Sequence, residues 1–216
     1  MTVNFTTWKG ITDGQRYEIP DSVVDPKEND LDHFSGDLGS FAIDDSSPVL
    51  SDVTAGKSVK MDTGDANERI VSTSGLNAYP EQGEKFACLV VDDQSDLGPL
   101  TIFGAQDASN FYGVEIHADN NRLAFYKDGS TAEDFEESVS VSISSGTWYD
   151  VEIEWLDDGS MTASVYDVDQ TDGERQGDAL ESVTFTDTDY SGGGVGFGGV
   201  SSGMGAWQNY RVTERL

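Results

Sequence analysis

The chain has one cysteine, Cys88, and two histidines, His33 and His117, in 216 residues. A single thiol excludes an intrachain disulfide. Cys88 lies in the apolar run Lys85-Phe-Ala-Cys-Leu-Val-Val91, which predicts a buried, inert thiol rather than a nucleophile. No Cys/His zinc cluster can be assembled from these residues. Basic residues are also scarce: 12 Lys and Arg stand against 41 Asp and Glu, a net charge of −29. Phosphate binding needs a basic stripe, so neither nucleic acid nor an anionic membrane surface is expected as a partner. No apolar run approaches the roughly 20 residues that a membrane helix requires. Met1–Gly10 has neither a basic start nor an apolar core, so no signal peptide is expected. Walker and Rossmann signatures are missing, and the glycine-rich Ser191–Gly199 lacks the Lys and the helix that phosphate cradling needs.

The acidic excess has two readings. High net charge with low hydrophobicity can prevent collapse. Here, however, apolar residues make up 36% of the chain and aromatics are frequent. The second reading is adaptation to high salt. At about 1 M salt the Debye length is roughly 3 Å, so dispersed carboxylates hardly repel one another. The acids are spread along the chain rather than gathered in a tail, which favours this reading. In dilute buffer, self-repulsion should then loosen the fold. The melting temperature is expected to rise by several degrees between low and multimolar salt, and a flat melting curve would count against it.

The regular pattern is that of strands. In Gly146-Thr-Trp-Tyr-Asp-Val-Glu-Ile-Glu-Trp155, residues Tyr149, Val151, Ile153 and Trp155 alternate with Asp150, Glu152 and Glu154. A period of two predicts a strand with one buried and one wet face. Asp157-Asp-Gly159 supplies turn chemistry, and Met161–Tyr166 starts the next run. Similar short signals recur from Leu38 to Val212, and the one helical candidate is a turn near Thr131–Glu137. The predicted class is all-β, a two-sheet antiparallel sandwich. Residues 1–30 read differently, with turn signals at Thr12-Asp-Gly14 and Ile19-Pro-Asp21. They are expected to form an extended arm anchored by Phe5, Trp8 and Tyr17, on its own domain or in a neighbouring subunit. Residues 31–216 form the domain.

Four segments in order carry a resemblance: Leu31-Asp-His-Phe-Ser-Gly-Asp-Leu38; Phe103–Ile116 with Arg122–Lys127; Gly146–Trp155 with Val165-Tyr166; and Gly193-Gly-Val-Gly-Phe197 with Trp207-Gln-Asn-Tyr-Arg-Val212. Together they resemble the concanavalin A-like (laminin G-like) jelly-roll superfamily. The resemblance implies two stacked curved sheets and a concave face that often binds glycans. The segment Phe5-Thr-Thr-Trp-Lys-Gly-Ile-Thr-Asp-Gly14 resembles the N-termini of structural proteins from tailed viruses of halophilic archaea.

Chemistry is sparse. Retaining glycosidases need two carboxyl groups about 5–5.5 Å apart. The Glu-x-Asp-x-x-Glu motif of enzymes with this fold is missing, and the row Asp150, Glu152, Glu154 reads as a solvated acidic face. Calcium is the one cofactor that the residues suggest. Asp167, Asp169 and Asp172 imitate an EF-hand loop without its helices, and Asp62–Glu68 is a second acidic loop. The alternative for both is a solvated turn. For a glycan, Gln106, Asp107, Asn110, Phe111 and Tyr112, with Asn121 and Arg122, mix aromatic and hydrogen-bonding groups. The alternative is that Asp107 and Asn110 cap a hairpin and Tyr112 is core. The expected protein is a non-enzymatic virion surface or appendage protein. It would bind a host cell-surface glycan or glycoprotein and assemble with other virion subunits, as a trimer by our guess. A glycan-acting enzyme or binding module of the same fold, or a purely structural decoration, are the rival readings.

Overall fold

The computed structural model describes residues 17–18, 34–37, 39, 41–44, 58–63, 65–76, 79–94, 97–128 and 134–216. Within them the chain forms strands β1 (Tyr17–Glu18), β2 (Ser35–Gly36), β3 (Phe41–Asp44), β4 (Ser58–Thr63) and β5 (Arg69–Ser72). Next come β6 (Glu84–Gln94), β7 (Pro99–Asp107), β8 (Asn110–His117), β9 (Arg122–Lys127) and β10 (Glu137–Ser140). The last are β11 (Trp148–Trp155), β12 (Ser160–Asp167), β13 (Glu181–Thr186), β14 (Gly194–Gly199) and β15 (Gly203–Arg215). No α-helix occurs among the described residues, and Glu137, in the predicted helical turn, begins a strand.

One sheet runs β13-β12-β11-β6-β15-β4-β3, with β1 beside β15, and has eight strands. The other runs β10-β9-β8-β7-β14-β5-β2 and has seven. The strand pairings are antiparallel. The two sheets stack as a sandwich around one large apolar cluster. The alternation in β11 works as predicted on its inner side: Val151, Ile153 and Trp155 are buried in that cluster. Trp155 meets Phe103 edge-on at 5.3 Å and Tyr112 at 5.7 Å. Each such buried side chain contributes roughly 1.5–3 kcal/mol of transfer free energy. Cys88 is buried in the same cluster, and burial pushes its thiol well above the ordinary range. A thiol so held is not nucleophilic.

Two local devices set the faces. In β15 the partner of Gln208 is Leu89 but that of Arg211 is Ala87, so one extra residue is accommodated in a bulge. Asn209 takes it up with φ 53°. The bulge lets Trp207, Tyr210 and Val212 all face the core while Gln208 and Arg211 face outward. In β14 the glycines permit close packing. A Cβ on Gly196 would lie 2.2 Å from the carbonyl oxygen of Ile70 in β5, so no larger residue fits without moving the strand.

The seven-stranded sheet is buried on its outer side as well. Leu100, Ile102, Phe111, Ala124 and Tyr126 form a second cluster there, with Phe135 packed on it. Strand β8 therefore buries both faces and reads as a nearly continuous apolar run. The backbone of Tyr17 pairs with Val212 of its own domain. Phe5, Trp8 and His33 lie outside the described residues.

Candidate functional site at one end of the sandwich

The turn between β7 and β8, the end of β9 and the link from β13 to β14 meet at one end of the sandwich. Asp107 closes the β7–β8 turn. Its carboxylate accepts hydrogen bonds from the backbone N–H groups of Ser109 (2.7 Å) and Asn110 (2.9 Å) and from the Asn110 amide (2.8 Å). These bonds, that from Ser109 first, hold the Asp107 carboxyl below the usual range. The hairpin-cap reading of this pair thus holds, and both side chains remain exposed. Beside them, the Gln106 amide donates to the carbonyls of Gly104 (3.0 Å) and Gly192 (2.9 Å), tying β7 to the β13–β14 link.

Tyr112 is core, as its place in the alternation requires, but its hydroxyl surfaces here. It donates to Asp187 Oδ1 at 2.5 Å and accepts from the backbone N–H of Tyr190 at 3.1 Å. Lys127, opposite Tyr112 in β9, donates to Asp187 Oδ2 (2.8 Å) and Asp189 Oδ2 (2.5 Å). Burial raises the Asp187 carboxyl, but the bonds from Lys127 and Tyr112 outweigh it and leave the group below its usual range. The same pair of aspartates raises Lys127. Tyr190 packs on Tyr112 with ring centroids 4.9 Å apart and the planes tilted by 58°, and donates from its hydroxyl to Asp128 Oδ1 at 2.6 Å. Burial, then the Asp128 bond, pushes this phenol up to about 12, so it stays a neutral donor at ordinary pH. The result is a half-buried aromatic ring on a rigid hydrogen-bonded base. Asp128 Oδ1 also accepts from the backbone N–H of Phe111 at 3.3 Å, which joins Tyr190 to the strand that begins at Asn110, and Gln106 reaches the carbonyl of Gly192, two residues beyond Tyr190.

Four of the sequence-selected residues, Gln106, Asp107, Asn110 and Tyr112, come together here. The others do not. Phe111 is buried on the outer side of the seven-stranded sheet, with the Arg69 guanidinium 5.2 Å from its ring centroid. Asn121 and Arg122 lie at the far end of β8, beyond a strand of eight residues, a span of roughly 25 Å. Asn121 accepts from the backbone N–H of Ile143, and Arg122 pairs with the buried Glu115. Sequence reasoning passed over Lys127, Asp187 and Tyr190. The available signal was a lysine at a strand end in a chain that has 12 basic residues.

In the loop from Asp167 to Glu174, where calcium was the expected ligand, two of the three carboxylates bond within the loop. Asp169 Oδ1 accepts from the hydroxyl (2.5 Å) and backbone N–H (2.8 Å) of Thr171, and Asp172 Oδ1 accepts from Glu174 N–H (2.9 Å). These carboxylates are turned onto their own loop. Among the described residues no group of three or more His, Cys, Asp or Glu side chains is arranged to hold a metal ion.

The acidic row on β11 differs from its expected solvated state. Asp150 is completely buried, held by Arg175 and Arg211. Glu152 pairs with Arg175 at 2.9 Å and Glu154 with Lys85 at 3.0 Å. Each carboxylate has a cation, so the row offers no free acid–base pair.

The class that this architecture defines is an antiparallel two-sheet β-sandwich with loops gathered at its ends. Among solved structures, the carbohydrate binding module CBM66 from Bacillus subtilis superposes with a TM-score of 0.58 at 16% identity, over 84% of this chain and 96% of that one. A botulinum neurotoxin serotype D binding domain gives 0.45 at 14% identity, over 81% of this chain and 43% of that one. A tail fiber protein from an E. coli phage gives 0.42 at 15% identity, over 63% of this chain and 16% of that one. These likenesses are of fold. No family model matches the chain, and no curated protein matches it in sequence.

Proposed function

We propose that the protein is a non-enzymatic glycan-binding sandwich that uses the end-loop cluster around Tyr190. The observation that carries this reading is the half-buried Tyr190 ring, packed on Tyr112, whose hydroxyl is held by Asp187 and Lys127, and joined through Asp128 to the start of β8, where Asp107 and Asn110 are exposed. An aromatic face beside fixed acceptors and donors is what a sugar needs: the ring covers C–H groups, and the polar atoms orient the hydroxyls. The carbohydrate binding module of the same fold supports the ligand class. The finer reading is a virion surface protein that attaches to a host cell-surface glycan or glycoprotein in strong salt, held in its oligomer by residues 1–30.

An enzyme of this fold is the weaker reading, because each carboxylate of the β11 row is tied to Lys85, Arg175 or Arg211. A glycan array probed in multimolar salt tests the proposal. Replacing Tyr190 by Ala is expected to weaken the strongest hit at least about tenfold, since ring stacking in a site of this kind contributes on the order of 1.4 kcal/mol or more. Equal binding by wild type and Tyr190→Ala, or no glycan bound at all, would remove the proposal. Light scattering with and without residues 1–16 tests the assembly role, since that truncation spares the β1 pairing.

A further inference from the structure

The sandwich has four end strands, β13 and β3 on one sheet and β10 and β2 on the other. An end strand exposes a row of backbone N–H and C=O groups. Proteins guard such a row by keeping the strand short, bulged, charged or broken by proline. Strands β3 and β10 have four residues and β2 has two. In contrast, β13 has six, in unbroken register with β12. From Ser182 to Thr186 it carries no charge and no proline, in a chain whose residues are 25% charged. Among the described residues no strand pairs with its outer side. Leu180, just before it, is one of three large hydrophobic side chains that the described residues leave exposed.

The strand is complementary to itself, as a two-fold contact requires. Turned about an axis through Thr184, an antiparallel copy sets Thr184 against Thr184, Ser182 against Thr186 and Val183 against Phe185. Hydroxyls then meet hydroxyls on the outer face, and apolar groups meet apolar groups on the core side. The chain already makes this match on the strand's other edge. Ser164 and Ser182 lie 2.8 Å apart, Thr162 and Thr184 3.1 Å, and Ser160 and Thr186 3.4 Å. On the core side Val183 stands opposite Ala163 and Phe185 opposite Met161. Pairs of this kind are the unit of sheet stabilisation. Charge narrows the choice of surface, because two chains of net charge −29 can meet only where carboxylates are few or countered. At the ends of the strand pair, Glu181 of one copy falls opposite Asp187 of the other, which Lys127 already holds at 2.8 Å. Beside β13, Glu136 and Glu137 at the start of β10 are exposed. At about 1 M salt the Debye length of roughly 3 Å screens them.

We propose that β13 is an interface for a second copy of this chain, joined antiparallel about Thr184 so that the eight-stranded sheets of the two copies run into one. The contact needs neither the glycan-binding reading nor residues 1–30. It sets the two Asp187–Tyr190 links at opposite ends of the shared strand pair, separated by the length of a six-residue strand, roughly 20 Å.

Sedimentation velocity on the full chain in multimolar NaCl should show a two-chain species that dissociates on dilution. Cysteine cross-linking then reads the register. Thr184→Cys puts the new thiols of the two copies opposite each other, with Cα atoms about 4.5–5.5 Å apart, within reach of a disulfide. Cys88 is buried and takes no part. Under mild oxidation this variant should become a covalent dimer. Ser182→Cys alone should not, because its two thiols would stand roughly 14 Å apart along the strands. Mixed with Thr186→Cys, however, it should give a covalent heterodimer. All three side chains are exposed, so the substitutions leave the core untouched. A monomer or a trimer in sedimentation overturns the proposal. So does a dimer in which Thr184→Cys links no faster than Ser182→Cys, since the copies then meet elsewhere.

Discussion

Replacing Asp150 by Ala is expected to cost about 3–5 kcal/mol of stability, the penalty for removing one partner of a buried ion pair. The carboxylate is completely buried and takes one guanidinium from the β12–β13 loop and one from β15. Without it, Arg175 keeps Glu152 and its place over the Tyr166 ring, 4.1 Å from the centroid. Arg211 keeps only the carbonyl of Asn209 at 3.1 Å among its hydrogen bonds. Two guanidinium groups would then share a face that has lost its central anion. Urea unfolding at constant salt measures the loss. Lys85→Ala is the control, because Lys85 makes a partly exposed pair with Glu154, worth roughly 0–1 kcal/mol. Hydrogen exchange in Val168–Asp178 should also quicken in the Asp150 variant, since Arg175 fastens that loop. If the two variants lose equal stability, the buried pair is not what holds the loop down.

The same residues show what could be read before the structure and what could not. Alternation from Tyr149 to Trp155 located the strand and its core side, because burial of one face is a local property of period two. It left open what would cover the other face. That depends on Arg175, 25 positions on, and on a bulge at Asn209 that turns Arg211 outward. Arg122–Lys127, one of the short strand signals between Leu38 and Val212, forms β9 with those bounds. The two-residue strands β1 and β2 were not legible, since a pair that short has no period. At the candidate site, Asp107 and Asn110 were selected from their turn, which is local information. Lys127 meets Asp187 and Tyr190, which lie together in one link 60 or more positions further on. Phe111 was selected for its closeness in sequence to Gln106, Asp107 and Asn110, but it belongs to β8, Asn110–His117. Its apolar residues on both parities are the mark of a strand buried on both faces.

Stability should also rise as pH falls from 8 to 5, through one group, Glu115. This carboxyl is buried on the outer side of the seven-stranded sheet, and burial pushes it up to about 7. Arg122 opposes the shift, with bonds of 3.0 and 3.1 Å to the two oxygens, and Tyr126 donates at 3.2 Å. Asp92 adds to it, and His117 stands across Gly98 from the same carboxylate. Because the folded value lies above the ordinary 4.5, the folded state holds its proton longer than the unfolded chain. The contribution is complete below pH 4.5 and is lost as pH rises through 7, and at full extent it amounts to roughly 3 kcal/mol. A chain of net charge −29 has a background slope of the same sign, since protonation relieves self-repulsion. The comparison is therefore with Glu115→Gln, which resembles the protonated form at every pH. In multimolar salt the variant should match wild type at pH 5 and be the more stable of the two at pH 8. Parallel stability curves for the two proteins would show that Glu115 stays ionised against Arg122 throughout, and that the guanidinium outweighs burial.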